Sequence, residues 1–498
     1  MARSKLLYDT DDWTFDKLRH AEDAIAEIAL KELKLDVYPN QIEIISSSQM
    51  LDAYASIGLP VMYSHWSFGK HFIQEEYSYR KGMSGLAYEI VINSNPCINF
   101  LMEENSMTMQ TMVMAHAAYG HNHFFKNNYL FKQWTDAGSI IDYLIFAKNY
   151  ISKCEDEHGP VSVEETLDAA HSIMDYGVDK YKRPPALNKI KEIERQKERA
   201  EYVQHQANLL WSTLPRVNSV KESTKTKFPK EPQENLLYFI EKYSPKLEAW
   251  QREIIRIVRK ISQYFYPQRQ TKLMNEGWAT FVHYYIMNRL YEKGLINDGH
   301  YLEFVHMHSG VTNTGKPKFT NPYALGFDLY ADIRRICEIP TAEDKEYFPH
   351  MIGEKWLDVC LDAVVNYRDE SFVAQFLSPH IMRKWRMFEI TNNEEDEFVT
   401  VTGIQNNSCY HNIRHNLSKQ YSLHSMQPDI QIVDANLDTT RELHLQYTPL
   451  NNAQLTKDYK VVLEHMKKLW GYPVSFLGES EPATIEEVVS EILDQSSI

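Results

Sequence analysis

The sequence has no long apolar run, because none of its segments approaches the roughly eighteen consecutive apolar residues that a membrane span requires. Its opening stretch, MARSKLLYDTDDWTF, contains no apolar core followed by a small-residue cleavage site, so it does not resemble a secretory signal. These two absences predict that the chain has no membrane span. They lead us to expect a cytoplasmic location.

An excess of positive charge is also absent. The 498 residues include 53 lysines and arginines against 68 aspartates and glutamates, which gives a formal charge of −15. Proteins that bind nucleic acids usually need a basic surface that displaces counterions from the phosphates. The composition therefore argues against a nucleic-acid partner.

Cysteine is scarce, and its spacing does not indicate a thiol site. The cysteines are odd in number, widely separated and never arranged as CxxC. This pattern predicts neither a disulfide framework nor a thiolate zinc site. We expect buried or inert thiols at Cys97, Cys154, Cys337, Cys360 and Cys409.

Three motifs that would identify common enzyme classes are missing. The chain has no GxxxxGK[ST] phosphate loop, no strand-linked GxGxxG and no GxSxG nucleophile turn. Their absence argues against nucleotide-dependent chemistry and against an α/β-hydrolase serine nucleophile.

The sequence does contain helical periodicity interrupted by short strand-like segments. Apolar residues recur every three or four positions at 13–35 and the pattern is again helical at 103–125, while residues 85–93 alternate as in a strand. We predict an α+β fold with a mainly α-helical N-terminal and central core, which includes a zincin-like strand–helix element, and a small C-terminal α/β domain.

The predicted domain organisation has four segments, of which the first and third pack together as one core. They are a mixed N-terminal segment at 1–190, a charged helix and linker at 191–232, a helical segment at 233–386 and the C-terminal α/β domain at 387–498.

One predicted helix contains three histidines close together, since His116, His121 and His123 fall within eight residues. Imidazole is the commonest protein ligand for metals. The spacing is not that of H-E-x-x-H, since Ala117 stands where the glutamate would be. On a straight α-helix, His121 would point about 140° away from His116, so we expect the helix to bulge or end near Gly120.

A second polar stripe lies in the segment Asn275–His283, which reads NEGWATFVH. On a helix, Glu276, Thr280 and His283 share one face, and the E-G-W-A sequence is similar to a segment that supplies a glutamate ligand in some zinc peptidases. The alternative is a buried hydrogen-bond network without metal.

We predict a divalent metal site with zinc as the first choice and iron or manganese as alternatives. The ligands expected are His116, His121, His123 and Glu276, and the catalytic residues expected are Glu276 and His283.

Further aromatic and imidazole side chains are predicted to contact a substrate. His306 and His308 are two residues apart, which is the spacing of a strand or loop. The substrate-binding candidates are His65, Trp66, Trp278, His306 and His308.

Several motifs together resemble one protein family. The pattern His116-x3-Gly-His-x-His-Phe-Phe, the NEGWATF segment and the stretches PVMYSHWSFGK, NPYALGF and VAQFLSP are similar to the stage V sporulation protein R (SpoVR) family, including its homologues in non-sporulating proteobacteria. The resemblance covers nearly the whole chain.

The resemblance implies a link to the spore cortex, and hence to peptidoglycan, and to stress physiology. It also implies a PrkA-type serine kinase and associated stress-operon proteins as partners. We therefore expect a metal-dependent, hydrolase-like enzyme acting on a peptide-like or cell-wall-derived substrate. The alternatives are a non-catalytic regulatory or scaffold protein and, third, a dinuclear iron oxidoreductase.

Overall fold

The structure is a computed structural model of the 498-residue chain. It describes residues 6–55, 62–63, 65–66, 89–180, 194, 198, 201–202, 228–312, 321–387, 389–391, 400–402, 407–423, 427–448, 455 and 458–477. Most of the charged helix and linker predicted at 191–232 lies outside these residues.

Helices make up most of the described residues, and the α+β class predicted from the sequence is confirmed. The α-helices are α1 (Phe15–Glu27), α2 (Ser47–Ala55), α3 (Met107–Met114), α4 (Asn122–Asn127), α5 (Tyr129–Trp134), α6 (Ile140–His158), α7 (Pro160–Ser172), α8 (Leu236–Tyr243), α9 (Ala249–Gln270), α10 (Lys272–Glu292), α11 (Asp298–Thr312), α12 (Pro322–Glu338), α13 (Ala342–Tyr347), α14 (Trp356–Asn366), α15 (Asp369–Phe376), α16 (Pro379–Lys384), α17 (Asn407–Gln420) and α18 (Tyr459–Trp470).

Shorter elements also occur among the described residues. Ile28–Glu32 and Ala115–His121 are π-helical, and Met174–Tyr176 and Pro349–Met351 are 3-10 turns. The strands are β1 (Asn40–Ile45), β2 (Glu89–Ile92), β3 (Cys97–Met102), β4 (Glu389–Thr391), β5 (Thr400–Thr402), β6 (Asp429–Asp434), β7 (Leu443–Thr448) and β8 (Val474–Phe476).

The chain divides into two compact units, each made of two stretches of sequence. Unit 1 comprises residues 1–152 and 264–422, and unit 2 comprises residues 153–263 and 423–498. These bounds differ from those of the predicted segments, because residues 387–422 belong to unit 1. Within unit 1, Tyr410 and Leu417 of α17 join the main hydrophobic core.

A small mixed sheet of unit 1 has the order β1-β3-β2, with β1 parallel and β2 antiparallel to β3. In β2 the side chains of Ile90 and Ile92 are buried while their neighbours are less so, as the alternating sequence requires. Glu89 is the first residue of this strand. The β2 strand therefore carries a carboxylate at its beginning.

The helix α10 lies in the interior of unit 1, where it packs against both α12 and the π-helical segment Ala115–His121. A Cβ atom added at Gly277 would lie 2.4 Å from the backbone of Gly326 in α12. A Cβ atom added at Gly120 would lie 2.6 Å from the Cα atom of Ala279. Glycine at these positions thus allows the three helical segments to approach closely.

The N-terminus of α10 is fixed by a buried carboxylate. Asp369 accepts hydrogen bonds from the backbone N–H groups of Leu273 and Met274, both at 2.9 Å. These groups have no partner within a helix, so the aspartate satisfies donors that would otherwise be buried without one. This contact sets the position of the turn that precedes Glu276.

Unit 2 contains the small C-terminal sheet, with the order β6-β7-β8. The last helix, α18, packs against α7, and its Trp470 is fully buried beside Phe239 of α8. Residue Gln233 also forms a β-bridge with Ile432 of β6. The C-terminal strands are therefore built together with residues from 153–263.

Two further expectations concern membranes and cysteines. In the part of the chain that the structure describes, no helix combines the length and apolar character of a membrane span. All five cysteines are buried and outside disulfides.

Candidate functional site

The π-helical segment brings two of the three clustered histidines to one face. In a π-helix the backbone bonds join residues five apart, so His116 and His121 lie one above the other. Their ring centroids are 4.6 Å apart, and both side chains are buried. The bulge expected near Gly120 is thus present as a complete π-helical turn.

Two glutamates face these imidazoles from different elements. Glu276 of α10 places its Oε2 atom 3.5 Å from His121 Nε2 and 3.7 Å from His116 Nε2. Glu89 of β2 places Oε1 3.2 Å from His116 Nε2. One ligand atom from each of Glu89, His116 and His121 lies within 4.8 Å of the other two. The strand and both helical segments thus meet at one polar centre.

The charges of this centre are strongly coupled. Burial works to raise the pKa of Glu276, but the imidazoles of His121 and His116 outweigh it and hold that pKa well below its usual range. Burial likewise works to lower the pKa of His121, yet the carboxylates of Glu276 and Glu89 raise it to about 9. Without a metal, Glu276 and His121 are therefore an ion pair at neutral pH.

Glu89 differs from Glu276 in its electrostatic surroundings. Burial raises the pKa of the Glu89 carboxyl, and the imidazoles of His116 and His121 oppose this only in part. Each of the two carboxylate side chains is 18% exposed, which leaves a small opening to solvent at the centre. One carboxylate is held as an anion, while the other is easier to protonate.

The His121 ring is oriented by a neighbour of Glu276. Its Nδ1 atom lies 2.9 Å from Oδ1 of Asn275, so an N–H at Nδ1 donates to the amide oxygen. The Nε2 position then faces Glu276 and His116, as an N–H in the metal-free ion pair and as a lone pair where a metal ion takes the place of that proton. This is the arrangement found in metal-binding histidines, whose second nitrogen is held by a protein acceptor.

The spacing of the donor atoms is close to that of metal ligands. Four ligands at 2.0–2.1 Å from a tetrahedral metal lie about 3.4 Å from one another. Glu276 Oε2 lies 3.5 Å from His121 Nε2 and 3.7 Å from His116 Nε2, which is close to this value, and Glu89 Oε1 lies 3.2 Å from His116 Nε2. Glu89 Oε2 and Glu276 Oε2 are buried and have no hydrogen-bond partner among the described residues. A bound cation would give both oxygens a partner; without one, the nearest cationic group to Glu276 Oε2 is the His121 imidazolium at 3.5 Å.

The third clustered histidine, His123, is directed to other residues. Its Nδ1 atom lies 3.0 Å from the backbone oxygen of Asp36 and 3.1 Å from Nδ2 of Asn127. Burial lowers the pKa of His123 to about 4. The structure therefore brings His116, His121 and Glu276 together but does not bring His123 to them.

His283, predicted as catalytic, lies behind His116. Its Nδ1 atom is 2.9 Å from Nδ1 of His116, and its Nε2 atom is 3.0 Å from Nδ1 of His308. Burial, and then the neighbouring imidazoles, lower the pKa of His283 well below its ordinary value. Both nitrogens of His283 are thus engaged by other histidines.

The predicted substrate contacts fall in different surroundings. Trp278 is fully buried in the core of unit 1, where it packs against Phe281 and Tyr330. His306 and His308 lie on α11, and not on the strand or loop that their spacing predicts, so His306 is exposed while His308 is buried. His65 and Trp66 contact each other with ring centroids 5.6 Å apart, and Trp66 is 54% exposed.

A second group of ligand types, Asp11, His300 and Glu303, lies elsewhere in unit 1. Here the His300 Nδ1 atom is 3.0 Å from Oγ1 of Thr108, and Glu303 accepts a hydrogen bond of 2.6 Å from Ser106. These polar atoms already have partners, so the group needs no ion.

Sequence reasoning missed Glu89 and Asn275. Glu89 is the single charged residue in the alternating strand β2, which was a usable signal, but nothing in the sequence relates this strand to α10. Asn275 directly precedes Glu276, but nothing in the sequence shows that its side chain contacts His121.

Comparisons with known proteins agree with the family resemblance. A family model described as SpoVR like protein matches residues 12–426, and a model described as SpoVR-like C-terminal domain matches residues 428–480. The chain is 52% identical over 486 residues to the uncharacterized protein YcgB of Escherichia coli K12, covering 96% of this chain and 95% of that protein. No solved structure matches the chain.

Proposed function

Because this chain belongs to the SpoVR family, and because its buried centre combines two imidazoles with two carboxylates, we propose that it is a metal-dependent hydrolase with one divalent ion at that centre. The proposal is carried by two buried oxygens, Glu89 Oε2 and Glu276 Oε2, which have no hydrogen-bond partner among the described residues. Glu276 Oε2 lies 3.5 and 3.7 Å from the Nε2 atoms of His121 and His116, and the other oxygen of Glu89, Oε1, lies 3.2 Å from His116 Nε2.

Three side chains form the proposed ligand set. His116, His121 and Glu276 supply two nitrogens and one oxygen, which is the combination used by catalytic zinc sites that leave a fourth position open. Nitrogen and oxygen donors without thiolates also suit iron or manganese. We propose zinc first. A zinc ion there would polarise a substrate carbonyl and activate water for its attack.

The fourth side chain, Glu89, is proposed as the general base. Its Oε1 atom lies 3.2 Å from Nε2 of His116 and projects from β2 into the centre. Glu89 is therefore close enough to accept a proton from a water molecule bound there. Its environment favours the protonated form more than that of Glu276 does, which suits a group that takes and returns a proton. This assigns different roles to the two carboxylates.

The proposed substrate is peptide-like or derived from the cell wall. Among the described strands, β2 is an outer strand of its sheet and begins at Glu89, so an extended chain bound beside it would pass the metal centre. We propose that β2 and the histidine-bearing helical segment serve as the zincin-like strand–helix element expected from the sequence. The PrkA-type kinase partner stays a prediction from the family resemblance.

Metal content is the first test. Protein purified without a histidine tag or chelator is analysed by plasma mass spectrometry, for the wild type, His121→Ala and His123→Ala. We expect about one zinc ion per chain in the wild type and in His123→Ala, and a loss of at least about tenfold in His121→Ala. His123→Ala is the matched control, since this histidine lies two residues further along, in α4, and its Nδ1 atom contacts the backbone oxygen of Asp36. A metal-free wild type would refute the proposal.

Hydrolysis is tested separately. Wild type and Glu89→Gln are incubated with peptidoglycan fragments and with a fluorogenic peptide library, and released amines are quantified. We expect Glu89→Gln to keep its metal but to lose about 100-fold or more in turnover, because the amide cannot accept the proton. Equal turnover in both proteins would remove Glu89 from the mechanism.

A further inference from the structure

Three buried histidines form a continuous line that starts at the proposed metal centre. Nδ1 of His116 lies 2.9 Å from Nδ1 of His283, whose Nε2 lies 3.0 Å from Nδ1 of His308. The three residues come from three different elements, the π-helical segment, α10 and α11. All three are at least nine-tenths buried.

The direction of the hydrogen bonds in this line follows from the first member. A neutral imidazole has one N–H and one acceptor nitrogen. If His116 keeps its Nε2 lone pair for a metal, its hydrogen is on Nδ1 and must be accepted by Nδ1 of His283. His283 then carries its hydrogen on Nε2 and donates it to Nδ1 of His308. A single tautomer of each ring satisfies both contacts.

The same contacts exclude His283 as a metal ligand at this centre. Each nitrogen of His283 is already paired with a nitrogen of another histidine, at 2.9 and 3.0 Å, so no lone pair remains for an ion. His283 therefore contacts a proposed ligand, His116, and is not itself a ligand.

The far end of the line is held by aromatic packing. The centroid of the His308 ring lies 4.9 Å from that of Tyr284 and 5.0 Å from that of Phe327. Tyr284 and Phe327 also line a cavity of about 400 Å³ between α10 and α12. The aromatic side chains thus restrict the rotation of His308, and His308 in turn restricts His283.

We propose that His283 and His308 are positioning residues that hold His116 in the tautomer and orientation required for metal binding through Nε2. The inference rests on the proposed metal site and adds to it. His121 is oriented by a different device, the amide oxygen of Asn275 at 2.9 Å. The two histidine ligands are thus oriented by two different residues of α10, Asn275 and His283.

The test compares substitutions that differ only in hydrogen bonding. His283→Leu fills similar space but accepts nothing from His116, whereas His283→Gln offers an amide oxygen to His116 and an N–H to His308. Zinc affinity is measured by competition with a chromophoric chelator, and the visible spectrum of the cobalt-loaded protein reports ligand geometry. The matched control is His306→Gln, which changes an exposed histidine of α11.

We expect zinc affinity to fall about 10- to 100-fold in His283→Leu, with an altered cobalt spectrum, and to recover in His283→Gln. His308→Leu is expected to weaken affinity less, because it acts through His283, and this variant decides the question if His283→Leu does not fold. Equal affinity in wild type, His283→Leu and His308→Leu would overturn the inference and leave the metal site intact. Metal-free wild type would instead refute the proposed function itself.

Discussion

Glu276 and His121 are a buried pair in which each group changes the protonation of the other. Their nearest nitrogen and oxygen atoms are 3.5 Å apart, and both residues are screened from most of the solvent. Since the pKa of His121 is raised to about 9 by the carboxylates despite burial, the metal-free protein keeps a proton there that the unfolded chain would lose near its ordinary pKa of about 6.5.

The stability of the metal-free protein should therefore depend on pH in a defined direction. The contribution of His121 is complete below about pH 6.5 and is lost as the pH rises through about 9. We expect the free energy of unfolding to fall by a few kcal/mol between pH 6 and pH 9.5, at about 1.4 kcal/mol per pKa unit. Urea unfolding at several pH values measures this.

His121→Gln supplies the control for this pH dependence. It removes the titrating group, so the slope between pH 6 and pH 9.5 should become much smaller than in the wild type. An unchanged slope would mean that another group is responsible.

At the residue scale, the sequence predicted three of the four side chains that meet at the polar centre, but not the fourth, Glu89. His116, His121 and Glu276 were recognisable because imidazoles and a carboxylate recur at helical spacings. His123 was included because the three histidines are close in sequence, whereas the π-helical turn directs it to the backbone of Asp36. Glu89 lies on another element, and contacts between distant elements depend on the tertiary fold.

At the scale of elements, α10 is held by unusually close backbone contact with α12. A Cβ atom at Gly277 would lie 2.4 Å from the Gly326 backbone, a distance that no rotamer change relieves. Consecutive residues of the N-E-G-W-A segment therefore have distinct tasks. Asn275 orients His121, Glu276 enters the centre, Gly277 permits the crossing and Trp278 fills the core.

Gly277→Ala should accordingly destabilise the protein by about 3 kcal/mol or more, because the two helices must move apart. The matched control is Gly310→Ala in α11, where an added Cβ meets nothing within 4 Å. That variant should be neutral or more stable by about 0.5–1 kcal/mol. Thermal unfolding of both proteins measures the difference, and equal melting temperatures would contradict the close crossing.

The aspartate at the start of α10 allows a second test. Asp369→Ala removes the acceptor of two buried backbone N–H groups and should cost about 1–3 kcal/mol. Burial raises the pKa of Asp369 to about 7, so the loss of charge in Asp369→Asn costs little. The amide keeps one acceptor oxygen but turns its NH2 group toward the second N–H, so we expect a loss smaller than that of Asp369→Ala. Urea unfolding at pH 7 compares the two variants. A larger loss in Asp369→Asn would contradict this role.

The sequence predicted the positions of helices and strands more accurately than the packing of one element against another. The helix expected at 13–35 is present as α1 and a π-helical turn, and the strand expected at 85–93 is present as β2 at Glu89–Ile92. The prediction for His306 and His308 is wrong, because a spacing of two residues favours an extended chain but both residues lie on the helix α11. Local periodicity cannot show that α11 packs against α10 at this point.

At the scale of the whole molecule, the C-terminal residues do not fold on themselves alone. Within unit 2, the Tyr176 hydroxyl donates to the Pro428 oxygen at 3.0 Å, and Lys180 lies 3.6 Å from Asp429. Ser244 donates a 2.8 Å hydrogen bond to the Leu469 oxygen. The sequence stretch recognised as a separate C-terminal domain thus depends on residues from the middle of the chain.

We therefore expect the isolated fragment 423–498 to lack cooperative unfolding in far-ultraviolet circular dichroism. A chain ending at 422 should bind a hydrophobic dye and aggregate, because Phe239 loses its packing against Trp470 and Lys180 loses its buried partner. Cooperative unfolding of the fragment by itself would contradict this interdependence.

The π-helical turn at Ala115–His121 also bears on how the family can diverge. A single residue deleted between His116 and His121 would turn five-residue spacing into four-residue spacing and the π-helical turn into an α-helical one. Both histidines would still share a face. A homologue aligned with a one-residue gap at this position is therefore compatible with an intact ligand pair, although a gap between two ligands would ordinarily suggest that the site had been lost.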